Sequence, residues 1–204
     1  MNDERRRRRR RLRRQAAVLL FLMLSFALAW FFESQATTTI IIVRYAEREL
    51  SQGENSGLSA AGHARAEELA RVLGDADVVA SVDAIYASRY RYTQETAEPL
   101  AQRLSLPVRI VDFTDVKGLL QDILREYKGR VILIVTHSEP IPVLVRRLHG
   151  SKNLPPIADT EHDNLYIVSM PWYGKVKTLR LKYGAPYVPE VVPAAVPTPA
   201  PAAQ

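Results

Sequence analysis

The sequence predicts an α/β fold, a layered sandwich around a mostly parallel central sheet. Two observations carry this expectation. From residue 37 to 184, β-branched runs alternate with segments whose apolar residues recur at helical spacing. Two of the runs, Thr38–Val43 and Val131–Val135, are apolar on both faces, as strands covered by helices on each side must be.

The first strand, Thr38-Thr39-Ile40-Ile41-Ile42-Val43, leads into a loop with Gly53 and Gly57. Ser59 then stands where it can cap a helix whose Ala66, Leu69, Ala70 and Leu73 share one face. A short strand spans Asp83–Ala87, and its helix carries Ala97, Leu100, Ala101 and Leu104 at the same spacing. Val108–Val111 is a third strand; the helix after it aligns Val116, Leu119, Leu120, Ile123, Leu124 and Tyr127. Val131–Val135 is the fourth strand, followed by a helix with Ile141, Leu144, Val145 and Leu148 on its apolar face. Leu165–Val168 and Val176–Leu181 are late strands around a turn at Tyr173-Gly174. In such sheets ligands bind beyond the carboxyl ends of the strands. Arg44-Tyr45 leaves the first strand there, and Thr136-His137-Ser138 leaves the fourth.

The two ends of the chain differ from this domain. Residues 1–15 form an Arg-rich arm: its nine arginines against Asp3 and Glu4 give +7, more than the +6 of the whole chain, so the remainder sums to −1. The basic balance therefore implies no nucleic-acid surface on the domain. Residues 16–36 read as a membrane anchor or a signal segment. Ala16–Phe32 has only Ser25 as a polar residue and ends in Trp30, Phe31 and Phe32, aromatics of the kind found at a membrane interface. The positive-inside rule keeps the arm cytoplasmic and sends residues 37–184 to the outer side of a single-pass anchor. The alternative is a cleaved signal, with Ser34-Gln35-Ala36 as the small-residue site and a secreted or periplasmic product. An arm that binds RNA or DNA is the weakest option, since an apolar helix follows it directly. Residues 185–204, rich in Pro and Ala, read as a solvated, extended tail. The chain has no cysteine, which excludes disulfides, thiol catalysis and cysteine metal sites.

Five segments, in order, resemble the histidine phosphatase superfamily, which includes cofactor-dependent phosphoglycerate mutases and bacterial phosphohistidine phosphatases. They are Val43-Arg44-Tyr45-Ala46-Glu47, where the family has Arg-His; Leu58-Ser59-Ala60-Ala61-Gly62, the family's Leu-Ser-x-x-Gly; Ser88 to Ala97, the segment of its second arginine; Thr136-His137, its second histidine; and Ile157 to Tyr166, similar to the bacterial phosphohistidine phosphatase branch. The resemblance implies an imidazole that attacks phosphorus, two arginines and a second histidine that bind the phosphoryl oxygens, and a carboxylic acid that protonates the leaving group, with no metal or other cofactor. Carried over residue by residue, Arg44, Arg91 and His137 would bind phosphate; the resemblance assigns no proton donor, and Asp112, Asp115 and Glu139 are candidates by their position after strand ends. Capping is the plainer role for Asp115, and a helix first turn for Glu139.

The chain departs from this pattern twice. Tyr45 stands at the nucleophile position, and a phenol, with an ordinary pKa of about 10, is mostly protonated near neutrality. Tyr92 falls where the second arginine precedes threonine; adjacent Arg91 points about 100° away on a helix. His63, His149 and His162 are not read as replacements: the first on a solvated helix surface, the second at a helix end, the third in an acidic loop without metal-ligand spacing. The expectation is an impaired phosphatase-like domain that binds phosphate, or a phosphorylated small molecule or protein, through Arg44, His137 and the start of the following helix. The alternatives are an active metal-independent phosphomonoester hydrolase with an atypical nucleophile, and a structural or interaction domain.

Overall fold

A computed structural model describes residues 2–33, 37–49, 53, 55–75 and 81–186. Helix α1 (Asn2–Glu33) runs unbroken through the Arg-rich arm and the apolar segment. Its Arg13–Phe31 stretch is long and apolar enough to cross a membrane, and its described side chains are exposed. The cleavage site Ser34-Gln35-Ala36 and nearly all of the tail, residues 187–204, lie outside the described residues.

Strand β1 (Thr38–Arg44) and strand β4 (Val131–Thr136) form the centre of a six-stranded sheet ordered β3-β2-β4-β1-β5-β6, with β2 at Ala84–Ser88, β3 at Val108–Val111, β5 at Asn164–Met170 and β6 at Lys177–Lys182. The first four strands in that order are parallel; β5 and β6 run antiparallel, so the sheet is mixed at one edge. Alternation along β1 explains the double-sided burial: Ile41 and Val43 face one apolar cluster, Ile40 and Ile42 the other. Helices α2 (Ala60–Gly74) and α3 (Arg91–Leu104) cover the first face through Ala66, Leu69, Ala97 and Leu100. Helices α4 (Val116–Glu126) and α5 (Pro140–Arg147) cover the second through Leu120, Ile123, Ile141 and Leu144.

The Leu-Ser-x-x-Gly segment has a local physical cause. Ser59 caps α2 by accepting a hydrogen bond from the Gly62 amide, a contact worth about 1 kcal/mol. Its own hydroxyl donates to the Glu47 carbonyl at 3.1 Å. A Cβ at Gly62 would stand 2.0 Å from that carbonyl oxygen, so only glycine lets α2 start against the loop that follows β1. That loop is held further by the Ala46 amide, which donates to Thr96 Oγ1 at 2.9 Å. Arg65 of α2 bonds both Glu47 carboxylate oxygens and the Tyr183 carbonyl. Burial alone would raise the Glu47 carboxyl, but these bonds overcome it and hold it below its usual range.

Candidate phosphate site

The carboxyl ends of β1 and β4 converge as the parallel register requires: Arg44 pairs with Thr136, and the Tyr45 amide continues the ladder to the Thr136 carbonyl at 3.0 Å. Beyond them opens a cavity of about 520 Å³ lined by Arg44, Tyr45, Glu47, Arg48, His137, Ser138, Glu139, Asp159, Thr160 and His162. Arg44, Tyr45, His137 and Glu139, expected at a common site, are brought together. Arg91, Asp112 and Asp115 are not. Arg91 is exposed at the start of α3 and paired with Glu95 at 2.6 Å, because the helical turn that buries Tyr92 sends its neighbour outward. Asp115 caps α4 through the Gly118 amide, and exposed Asp112 accepts from the Thr114 amide; neither lines the cleft.

The two departures from the family pattern touch each other. The rings of Tyr45 and Tyr92 lie 4.3 Å apart, and His137 edges both at 5.4 and 5.5 Å. Burial, helped by neighbouring Tyr45, pushes the Tyr92 phenol up to about 12, so it stays a neutral hydrogen-bonding group. Desolvation also lowers His137, against the pull of Glu139. Its Nε2 lies 3.3 Å from Ser88 Oγ, which in turn meets Thr93 Oγ1 at 2.9 Å.

Arg44 is 5 % exposed. Its Nη1 donates to the Ala158 carbonyl at 2.7 Å and the Glu161 carbonyl at 3.4 Å, and its Nη2 to the Tyr45 hydroxyl at 3.3 Å, while Nε has no partner. Among the described residues no carboxylate pairs with it. Of the acids nearby, Glu47 pairs with Arg65, and Glu161 and Asp163 with Lys182, while Glu139 and Asp159 share the cleft lining without an ion pair to Arg44. A buried cation without a counter-ion is costly unless an anion completes it.

Of the lining residues, Arg48 was not singled out by the sequence reasoning, and His162 was weighed and set aside. Arg48 follows Arg44 by four positions and sets its guanidinium 5.7 Å from the Tyr92 ring centroid, bringing a second guanidinium to the cleft from the β1 loop rather than from α3. His162, read as a loop residue, is instead buried, with Nδ1 2.7 Å from the Tyr45 carbonyl. A carbonyl only accepts, so the proton sits on Nδ1 and Nε2 keeps its lone pair. Burial lowers its pKa, against the stabilising bond to that carbonyl. The register explains its position: β5 is antiparallel to β1 with Leu165 opposite Val43, so the residues just before β5 fall beside Tyr45. His63 is exposed on α2, and at His149 the main-chain amide, not the ring, bonds the terminal carbonyl of Arg146. Proline at 140 and 142 leaves the start of α5 short of two amides, so it offers an anion fewer donors than a typical helix start. Among the described residues no group of three or more His, Asp or Glu is placed to hold a metal ion.

At the carboxyl ends of its central strands the α/β sandwich brings Arg44 and His137 to one cleft. The family model for the histidine phosphatase superfamily (branch 1) matches residues 40–113, and over that segment the chain is similar to that superfamily. Solved structures share the fold at low identity. The protein histidine phosphatase SixA complexed with tungstate is 18% identical, with a TM-score of 0.57 over 71% of this chain and 96% of that one. A mycobacterial glucosyl-3-phosphoglycerate phosphatase complexed with VO3 is 16% identical, with a TM-score of 0.53 over 72% and 98%. A mycobacterial hydrolase is 17% identical, with a TM-score of 0.55 over 74% and 100%. No curated protein matches the sequence.

Proposed function

We propose that the domain binds phosphate, or a phosphorylated small molecule or protein, in the Arg44 cleft with phosphatase turnover impaired, and that α1 tethers it to a membrane. The observation that carries the binding is the buried Arg44 guanidinium without a carboxylate partner. Arg48, His137 and His162 line the same space, together with Glu47, Glu139 and Asp159. The oxyanions tungstate and VO3 in the SixA and mycobacterial phosphatase complexes are chemically akin to phosphate. Turnover is impaired because residue 45 supplies a phenol where the family has imidazole, and its ring is packed against Tyr92. The positive-inside rule puts the arm in the cytoplasm and the domain on the outer face. Calorimetric titration of the full chain in lipid nanodiscs with phosphate, beside a phosphomonoester hydrolysis assay, tests the reading. Binding at or below millimolar phosphate with negligible hydrolysis supports it; absence of binding leaves a structural domain.

His162 favours a second reading, a hydrolase with a displaced nucleophile. Its neutral Nε2 would attack phosphorus as the bond to the leaving oxygen breaks, with Glu139 giving that oxygen its proton. Water would then break the P–N bond, release phosphate and return a proton to Glu139. Hydrolysis that survives Tyr45→Phe and disappears in His162→Gln selects this reading.

A further inference from the structure

The turn between β5 and β6 is built unlike a solvated hairpin. Trp172 and Tyr173, which are 52 % and 85 % exposed, stand between Pro171 and Gly174, whose φ of 114° lets the chain reverse. The ring of Trp172 meets that of Phe31, near the end of α1, edge to face at 6.1 Å. Exposed lysines surround this end of the sheet. Lys175 and Lys177 flank the turn itself. Lys128 is placed there by its neighbour Gly129, whose amide bonds Thr38 Oγ1, and Lys152 by its neighbour Ser151, whose amide bonds Thr178 Oγ1. Indole and phenol rings with a basic surround are the chemistry of a phospholipid headgroup layer.

Topology fixes which end of the domain this is. Met170 pairs with Thr38, so the turn projects past the beginning of β1, where the chain arrives from α1. Five residue steps separate Glu33 from Thr38, a reach of at most about 18 Å. The cleft lies at the other end of β1, roughly 20 Å further along a seven-residue strand.

We propose that the β5–β6 turn docks into the headgroup layer of the bilayer that α1 crosses, and thereby holds the cleft facing away from the membrane. The proposal rests on α1 being an anchor. Its consequence is a ligand class: the cleft takes phosphoryl groups on water-soluble molecules or on the soluble part of a partner, not headgroups of the bilayer that carries it.

The chain has two tryptophans, Trp30 and Trp172, which makes each a separate reporter. Full-length Trp30→Phe, reconstituted into phosphatidylethanolamine–phosphatidylglycerol vesicles, leaves Trp172 alone; Trp172→Phe leaves Trp30. With lipids brominated near the headgroup, Trp172 should lose most of its emission and resist aqueous iodide. Trp172 open to iodide and untouched by brominated lipid, with Trp30 quenched, overturns the docking and leaves the anchor standing. Trp30 untouched by lipids brominated at any depth overturns the anchor reading, and the proposal with it. A single cysteine at exposed Thr160, on the cleft rim, should carry a dye that transfers energy to headgroup acceptors less efficiently than one at Lys175; equal transfer overturns the orientation.

Discussion

Arg44→Met removes one guanidinium from the cleft and keeps most of its apolar stem. In the free domain the change has opposing effects on stability. It removes a buried charge without a carboxylate partner, but leaves the Ala158 and Glu161 carbonyls without their donor. Each such bond to a charged group is worth about 1.5–3 kcal/mol, and relief of the buried charge offsets part of that loss. Ligand affinity has no such offset. At least one charge-assisted contact to the anion is lost, about 1.5–3 kcal/mol, or roughly 10- to 150-fold in Kd. Sulfate is the better probe because, unlike phosphate, it does not titrate near neutrality. Calorimetry should show wild-type binding weakened by that factor in Arg44→Met and unchanged in His63→Ala, which alters an exposed residue of α2. Sulfate at about 100 times Kd should stabilise the wild type by about 2.7 kcal/mol, with the gain largely lost in Arg44→Met. An unchanged Kd in Arg44→Met would refute the reasoning that the buried guanidinium is an anion receptor.

Three further outcomes follow from the same contacts. Burial lowers His137 and His162, so the unfolded chain binds more protons than the folded one. Their contribution to stability is therefore complete above the ordinary histidine pKa of about 6.5 and falls as pH drops through the lowered folded values. Urea midpoints should decrease from about pH 7.5 to 5.5, and sulfate should blunt the decrease because it favours the imidazolium forms; a flat profile contradicts this. Gly62→Ala should destabilise by about 3 kcal/mol in urea titrations, because its methyl meets the Glu47 carbonyl, whereas Gly→Ala in an open helix gains about 1 kcal/mol. Arg65→Met should cost about 2–3 kcal/mol, less than breaking a fully buried pair since Glu47 is 28% exposed, and adding Glu47→Gln should recover part of it in a double-mutant cycle.

The parallel half of the fold was legible because its signals are local. β1 and β4 are apolar on both faces, Ser59 caps where a cap was expected, and the stripes of α2, α3 and α4 survive even with Pro99 inside α3. The antiparallel edge was not. Nothing in Leu165–Val168 specifies its partner or direction, and that pairing alone carries His162 to the cleft. Arg44, Tyr45 and His137 were legible because each directly follows or ends a readable strand. Arg48 was not, because a charged loop residue looks the same in sequence whether it faces a cleft or water. Arg91 was assigned from its adjacency to Tyr92, and helix geometry, which separates neighbours by about 100°, sends it to the surface.

The central claim, an anion site without a working nucleophile, meets its most direct measurement in acid and alkaline quenching of the full chain mixed with a radiolabelled phosphomonoester. The account predicts label that binds reversibly, is displaced by sulfate, and leaves no covalent phosphate on the protein. Phosphate that survives alkali but is lost in acid, and that vanishes in His162→Gln, would place the nucleophile on that histidine. Phosphate stable to both, and absent in Tyr45→Phe, would show that the phenol itself attacks; either result contradicts the claim.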